Sequence, residues 1–293
     1  MKILVTGGKG FIGLKLMEKL AQMGHEPVSY DIVDGQDLFD MEKLEAAIKD
    51  VHAVYHVAAE ADLTRMTTLN DGRRGLIANV GATDNVAYLC AKHGRWLLFA
   101  STICVYGDVE VHPVHEDTTL PNPSEIYAAS KYAAEWVIRG YGTSFNLDYT
   151  ILRFATVYGP GMRAALGVHV FFKQALLGKP ITVHGEGKQV RTLTYIDDLV
   201  DGIAAPLLHK GAALGEIFNI TSPEMTSAIG MAEQIKTISG SSSPVVFVPQ
   251  RKNNTLHEDV DVSKAKRLLQ WQAHTSFADG LRKTLPWMKS VLS

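Results

Sequence analysis

The stretch Val5-Thr6-Gly7-Gly8-Lys9-Gly10-Phe11-Ile12-Gly13 constrains this chain more than any other. Before it, Met1-Lys2-Ile3-Leu4 reads as a short buried strand. After it, Ile12, Leu16 and Leu20 recur at one-turn spacing, which predicts an amphipathic helix. Between a strand and a helix, each glycine has its own reason. Gly7 permits the tight turn, Gly10 lets the backbone approach a pyrophosphate, and Gly13 lets the helix lie close to the sheet. The helix N-terminus then offers N–H groups to an anion. The spacing differs from the common G-x-G-x-x-G, and the alternative is an ordinary strand–helix turn.

The following residues extend the pattern. Pro27-Val28-Ser29-Tyr30-Asp31 reads as a second strand ending in an acid, 18 residues after Gly13. An acid there accepts hydrogen bonds from the adenosine ribose hydroxyls and repels a 2′-phosphate, so Asp31 favours NAD over NADP. Gln36-Asp37-Leu38-Phe39-Asp40 leads into a short helix through Leu44 and Ile48. Ala53 to Val57 is a buried strand whose small end, Ala58-Ala59, leaves room for a ligand. Glu60 to Gly75 is polar, carries Asn70, Gly72 and Gly75, and reads as a loop, with Asn79 opening a helix that stops near Gly94. Trp96 to Ala100 is a strand, Tyr127 to Tyr141 a helix and Tyr149 to Arg153 a strand.

Strands alternating with helices predict an α/β fold, a Rossmann-type doubly wound parallel sheet, over residues 1–155. Residues 190–213 are allowed to return to it. Residues 156–293 form a smaller α+β region, with helices near 165–178 and 226–239 and strands at 180–184, 218–220 and 245–248. Asp261 reads as the cap of a last helix. A cleft between the two regions would hold a substrate against a cofactor.

Composition narrows the partners. A net charge of −2 gives no basic field for nucleic acid or an anionic membrane. No apolar run reaches the roughly 18 residues of a membrane span, and the chain enters a strand at once, leaving no room for a signal peptide. Two cysteines, Cys90 and Cys104, make no disulfide framework and suit the cytoplasm. No metal-ligand cluster is legible.

The chemistry concentrates in Thr102, Tyr127 and Lys131. Tyr127 and Lys131 stand at i and i+4, on one helix face. An ammonium beside a phenol of ordinary pKa about 10 favours the phenolate and makes a base near neutrality. Thr102, at a strand end, can hydrogen-bond the same substrate oxygen. A Tyr-x-x-x-Lys pair alone is common on helix surfaces; the glycine turn upstream makes it a site.

Taken together, these pieces resemble the extended short-chain dehydrogenase/reductases, in the branch of nucleotide-sugar epimerases and dehydratases, and UDP-glucose 4-epimerases in particular. The matching residues are Thr6 to Gly13, Asp31, Asp37-Leu38, His56 to Ala59, Asn79, Ser101-Thr102 with Val105-Tyr106-Gly107, Tyr127 to Lys131, Leu152-Arg153-Phe154, Tyr158-Gly159-Pro160, Arg191, Tyr195 to Asp198 and Asp261 to Ala265. The resemblance implies NAD bound by Gly7, Gly10, Phe11, Ile12, Gly13, Asp31, Asp37, Leu38, Val57, Ala58, Ala59, Asn79, Tyr127, Lys131 and Phe154. It implies a nucleotide-sugar, a UDP-sugar, held by Thr102, Cys104, Thr156, Arg191 and Arg251, the two arginines on the diphosphate. It also implies a homodimer through helices near 79–93 and 127–141.

There are departures. Sugar 4,6-dehydratases carry Asp-Glu after the place of Thr102, where this chain has Ile103-Cys104, and related decarboxylases use a glutamate in the place of Cys104. The usual asparagine is Thr156, and the usual Arg-Pro-Gly-Asp is Arg251-Lys252-Asn253-Asn254. Some relatives that invert C5 carry a cysteine in the place of Cys104. The expectation is epimerisation at C4 through a 4-keto sugar. The alternatives are a dehydratase or C5 epimerase using Cys104, and a non-catalytic NAD(H)-binding regulator.

Overall fold

In a computed structural model, residues 1–61, 68–107, 109, 112–118, 120, 123, 125–250 and 258–293 are described. Strand β1 (Lys2–Thr6) sends Ile3 and Val5 into one core and Leu4 into another. A strand buried on both faces needs helices above and below it. The chain supplies them in turn: α1 (Phe11–Gln22), β2 (Glu26–Tyr30), α2 (Met41–Ile48), β3 (Ala53–His56), α3 (Leu69–His93), β4 (Trp96–Thr102), α4 (Ile126–Phe145) and β5 (Tyr149–Phe154). The second half runs β6 (Thr156–Tyr158), α5 (Gly167–Leu176), β7 (Ile181–His184), β8 (Val190–Tyr195), α6 (Ile196–Leu208), α7 (Lys210–Ala213), β9 (Glu216–Ile220), β10 (Met225–Ser227), α8 (Ala228–Ser239), β11 (Val245–Val248), α9 (Ser263–Leu269) and α10 (Phe277–Leu292).

Six parallel strands form the main sheet in the order β2-β1-β3-β4-β5-β9. Leu16 and Leu20 of α1 join Ile203 of α6 in the core on one face, while Leu44, Val86 and Ile138 fill the other. A separate core of Tyr158, Phe172, Ile181, Leu193, Met231 and Phe277 lies under the sheets β10-β8-β6 and β11-β7. The chain passes between these regions more than once. It leaves the main sheet after β5, comes back with α6 and β9, and leaves again at β10.

Helix α3 differs from the sequence reading. It begins at Leu69, ten residues before Asn79, so Asn70, Gly72 and Gly75 are helical and not loop. The Thr68 hydroxyl accepts the Asp71 N–H at 3.2 Å and caps the helix. A Cβ at Gly72 would meet Ile126 at 3.5 Å, an ordinary van der Waals contact, so this face of α3 packs on the start of α4. Packing against α4 outweighs the weak helix propensity of these residues. At the start of α9, Val262 holds the cap position and Asp261 accepts the Ser263 N–H at 2.9 Å.

Among the described residues no helix is long and apolar enough to cross a membrane. Across the main sheet, Arg153 of β5 grips Glu135 of α4 through two parallel hydrogen bonds, Nε to Oε1 at 3.0 Å and Nη2 to Oε2 at 2.7 Å. Both side chains are almost wholly buried. Arg153→Met strands the Glu135 charge and should cost about 3–5 kcal/mol. Adding Glu135→Leu should recover most of that. Urea unfolding measures both, and a single-variant loss below about 1 kcal/mol would show that the pair carries no such weight.

Candidate active site

Strand order reverses at β1, which has β2 on one side and β3 on the other. Ligands of such sheets bind outside the carboxyl ends of the strands at that reversal. A cavity of about 760 Å³ opens there, walled by the turn after β1, by Val57, Ala58 and Ala59 after β3, and by the ends of β4 and β5.

The turn suits a dinucleotide. Gly7 has φ +70°, and a Cβ on it would lie 2.9 Å from the Ala58 backbone. A Cβ on Gly13 would lie 2.0 Å from the Gly7 carbonyl oxygen, so α1 starts hard against the turn. Gly10 is the N-cap and gives no side-chain cap, which leaves the first-turn N–H groups to a ligand. Phe11 and Ile12 complete this wall. Asp31 is fixed at the end of β2 because its carboxylate accepts the N–H groups of Lys9 at 2.9 Å and Val33 at 3.0 Å. Asp37 and Leu38 line the same end, where the Tyr30 hydroxyl donates to the Asp37 carbonyl.

Asn79 lines the cavity, but its side chain holds protein. It accepts the Glu60 N–H at 2.8 Å and donates to the Glu60 carbonyl at 3.0 Å and to Ser130 Oγ at 2.9 Å. Ser130 in turn donates to the Tyr127 carbonyl. Asn79 thus staples the loop after β3 to the helix that carries Tyr127.

Thr102 ends β4, and its hydroxyl accepts the Cys104 N–H at 3.2 Å. Tyr127 sits in the first turn of α4, within hydrogen-bonding reach of Thr102. Burial pushes the Tyr127 phenol up, Cys104 pushes it the same way, and the Arg163 guanidinium and Thr102 pull it back. Lys131 lies one turn further on and is not in the cavity wall. Its ammonium donates to the Ala100 carbonyl at 2.8 Å and lies 4.6 Å over the Phe99 ring. Burial drives Lys131 down to about 7, with Glu135 opposing. Burial also pushes the Cys104 thiol up to about 11.

Phe154, Cys104 and Thr156 line the wall as well. Arg191 does not reach it, standing behind Glu258 with Nε 3.3 Å from Oε1. Arg251 lies outside the described residues. The sequence reading missed two wall residues, Arg163 and Glu258. Arg163 holds the Ala61 carbonyl from across the cavity mouth. No local pattern marks either, since each reaches the wall only through tertiary packing. A second cavity of about 830 Å³, walled by α4, β9 and α9, contains none of the glycine turn, Thr102 or Tyr127. Among the described residues no cluster of three or more His, Cys, Asp or Glu is placed to hold a metal ion.

A glycine cradle and a fixed acid at the reversal of a parallel sheet place this chain among the dinucleotide-binding α/β proteins. It belongs to the NAD dependent epimerase/dehydratase family, whose model matches residues 3–221. Over 99% of its length it is 32% identical to the uncharacterized UDP-glucose epimerase YtcB of Bacillus subtilis (strain 168), of which it covers 99%. The fold is similar to UDP-glucose 4-epimerase of Thermotoga maritima, solved with UDP-glucose: TM-score 0.93, 28% identity, all of both chains covered. It is also similar to UDP-glucuronic acid 4-epimerase of Bacillus cereus, solved with UDP-glucuronic acid and NAD, with TM-score 0.91, 29% identity and coverage of 99% and 100%.

Proposed function

We propose that this chain is an NAD-dependent epimerase that inverts C4 of a UDP-sugar through a 4-keto intermediate. One observation carries the reading: Thr102 and Tyr127 meet on the wall of the cavity that the glycine turn opens. The backbone from Gly7 to Gly13 takes the pyrophosphate, and the Asp31 carboxylate takes the adenosine ribose. NAD held there would supply the hydride acceptor and donor for C4, and its positive ring would favour a phenolate nearby. Tyr127 Oη removes the C4 hydroxyl proton as hydride leaves C4; the 4-keto sugar turns over in the cleft, hydride returns to the other face of C4, and Tyr127 Oη gives the proton back to the C4 oxygen. Thr102 Oγ1 orients that oxygen. A positioned base of this kind is worth about 10²–10⁴ in rate. The Arg163 guanidinium pulls the buried Tyr127 phenol back toward ionisation. Arg191 and Arg251 receive the diphosphate.

Cys104 bears on the alternatives. At about 11 its thiol keeps its proton near neutrality, so it is a poor base for C5. With Ile103 beside it, the Asp-Glu pair that sugar 4,6-dehydratases carry directly after Thr102 is absent from those two positions. A regulator that only binds NAD(H) has no use for a phenol paired with a hydroxyl in the cavity. On the surface, α3 exposes Ile77 and Tyr88, and α4 exposes Trp136 and Phe145, which supports a homodimer through these helices. Two unpaired cysteines suit the cytoplasm.

Incubation with UDP-glucose or UDP-glucuronate in D₂O, read by NMR, should give the C4 epimer with no carbon-bound deuterium. Tyr127→Phe should lose at least about a hundredfold in turnover while keeping NAD. Deuterium at C5 that disappears in Cys104→Ala would overturn the C4 reading. Titration of the two cofactors should show NAD bound well above NADP, because Asp31 stands where a 2′-phosphate would go. Equal affinities would remove that role from Asp31. Sedimentation equilibrium of the purified protein and fractionation of producing cells should find a dimer in the cytosol; a monomer or a membrane-bound pool counts against these assignments.

A further inference from the structure

Arg191 is the cation that the nucleotide-sugar reading gives to the substrate's diphosphate, yet it stops short of the cavity wall. Glu258 stands there instead. Its Oε1 lies 3.3 Å from Arg191 Nε, on side chains that are both largely buried. Its Oε2 is buried and has no hydrogen-bond partner among the described residues. One carboxylate oxygen therefore covers the guanidinium while the other stays unsatisfied. A diphosphate approaching Arg191 meets this carboxylate first, and two anions compete for one guanidinium edge. Nothing in the short-range sequence pattern explains an acid here, and Glu258 touches neither Thr102 nor Tyr127 by any hydrogen bond among the described residues.

We propose that Glu258 is an acidic latch on Arg191, neutralising the guanidinium in the substrate-free protein and releasing it, by turning away or by taking a proton, when a nucleoside diphosphate group binds. The inference rests on the nucleotide-sugar reading. Glu258 acts through Arg191 and is a positioning residue. Until substrate arrives, the latch holds a counter-charge against Arg191 where both side chains are largely buried. It also taxes every diphosphate ligand by the work of breaking the pair, so it sets nucleotide affinity.

The proton route is open near neutrality, because burial pushes the Glu258 carboxyl up to about 7 against the pull of Arg191. Among the described residues, Arg191 on β8 acts on it directly and the Thr192 N–H donates to its carboxylate, Cys104 lies near both it and Glu125, and Tyr127 and Arg163 share its wall. Cys104 keeps its proton through this range, and Tyr127 is the same in wild type and variant, so their comparison cancels its titration. Burial raises Glu125 too, and comparison with a Glu258 variant separates its effect. As pH falls through about 7, Glu258 becomes neutral and no longer competes as an anion at the Arg191 guanidinium, so diphosphate affinity rises toward acid.

The test is calorimetric titration of UDP into the NAD-loaded full chain at pH 6, 7 and 8, comparing wild type with Glu258→Gln. The variant should bind UDP about tenfold tighter at pH 8, with the advantage shrinking toward pH 6 as the wild-type carboxyl protonates. The comparison between proteins cancels the titration of UDP's own phosphate. Glu258→Ala must move in the same direction, and unchanged NAD affinity reports an intact fold. UDP binding equal to or weaker than wild type in Glu258→Gln, or an advantage that does not vary with pH, overturns the latch and leaves the nucleotide-sugar reading standing. If wild type and both variants bind NAD but no UDP at any pH, the nucleotide-sugar reading falls, and the latch with it.

Discussion

The cavity depends on a guanidinium and a carboxylate that water does not reach. Arg153 and Glu135 join β5 to α4, and the Ser101 hydroxyl donates to the same carboxylate from β4. Arg153 also donates to the Glu116 carbonyl at 3.1 Å and lies 4.8 Å over the Tyr106 ring. Tyr106 donates to Asn219 of β9 at 2.7 Å, and Asn219 takes its backbone partner from the Glu116 carboxylate. Every polar end of this buried network has a partner, the condition under which such a network fixes one arrangement. Glu135 is one turn beyond Lys131 and two beyond Tyr127 on the same helix. Ser101 is the residue before Thr102. The pair therefore sets the height and rotation of the Tyr127 helix against the strand that ends in Thr102. Few other contacts act on both sides of the reacting oxygen at once.

A second network does the same for the cofactor end. Thr6 and His56 meet at 2.7 Å, His56 and Thr83 at 3.1 Å, and Thr83 donates to the Asn79 carbonyl at 2.7 Å. Burial, helped by the Lys131 charge, lowers His56 to about 3, so it stays neutral and serves as a fixed spacer. The chain of hydroxyls and imidazole ties the end of β1 to β3 and α3 just below the glycine turn. With Asn79 reaching on to Ser130, the pyrophosphate cradle and the Tyr127 helix share one frame.

Much of this was legible because it is local. The glycine turn after Thr6, the acid at Asp31 and the Tyr127–Lys131 pair are written in consecutive residues, and their geometry follows from strand and helix periods. The start of α3 was not legible, because Asn70, Gly72 and Gly75 spell a loop by propensity, and only the face of α4 and the Thr68 cap turn them helical. Nor did the sequence show that β9 belongs to the main sheet beside β5, since three apolar residues at 218–220 pair as readily in a small sheet. Lys131 shares a helix face with Tyr127 as its spacing requires, but its ammonium rests on the Ala100 carbonyl. That choice depends on the depth of the site, which spacing does not encode. Arg163 and Glu258 were invisible for the same reason: charge at a distance is set by tertiary packing.

Around Thr102, burial pushes four groups toward the neutral form. The Lys131 ammonium is weakened, the Tyr127 phenol, the Cys104 thiol and the Glu258 carboxyl are all raised, and the cations Arg191 and Arg163 are held by a carboxylate and a carbonyl. A site in this state is stable without ligand, because few charges are left unpaired in a poor solvent. It is also unready to react, because a base must carry charge to take a proton. On the C4-epimerase reading proposed above, NAD and a nucleotide-sugar would bring a positive ring and two phosphates to these groups, and part of the binding free energy would then go into shifting them toward their working protonation states and be absent from the measured affinity.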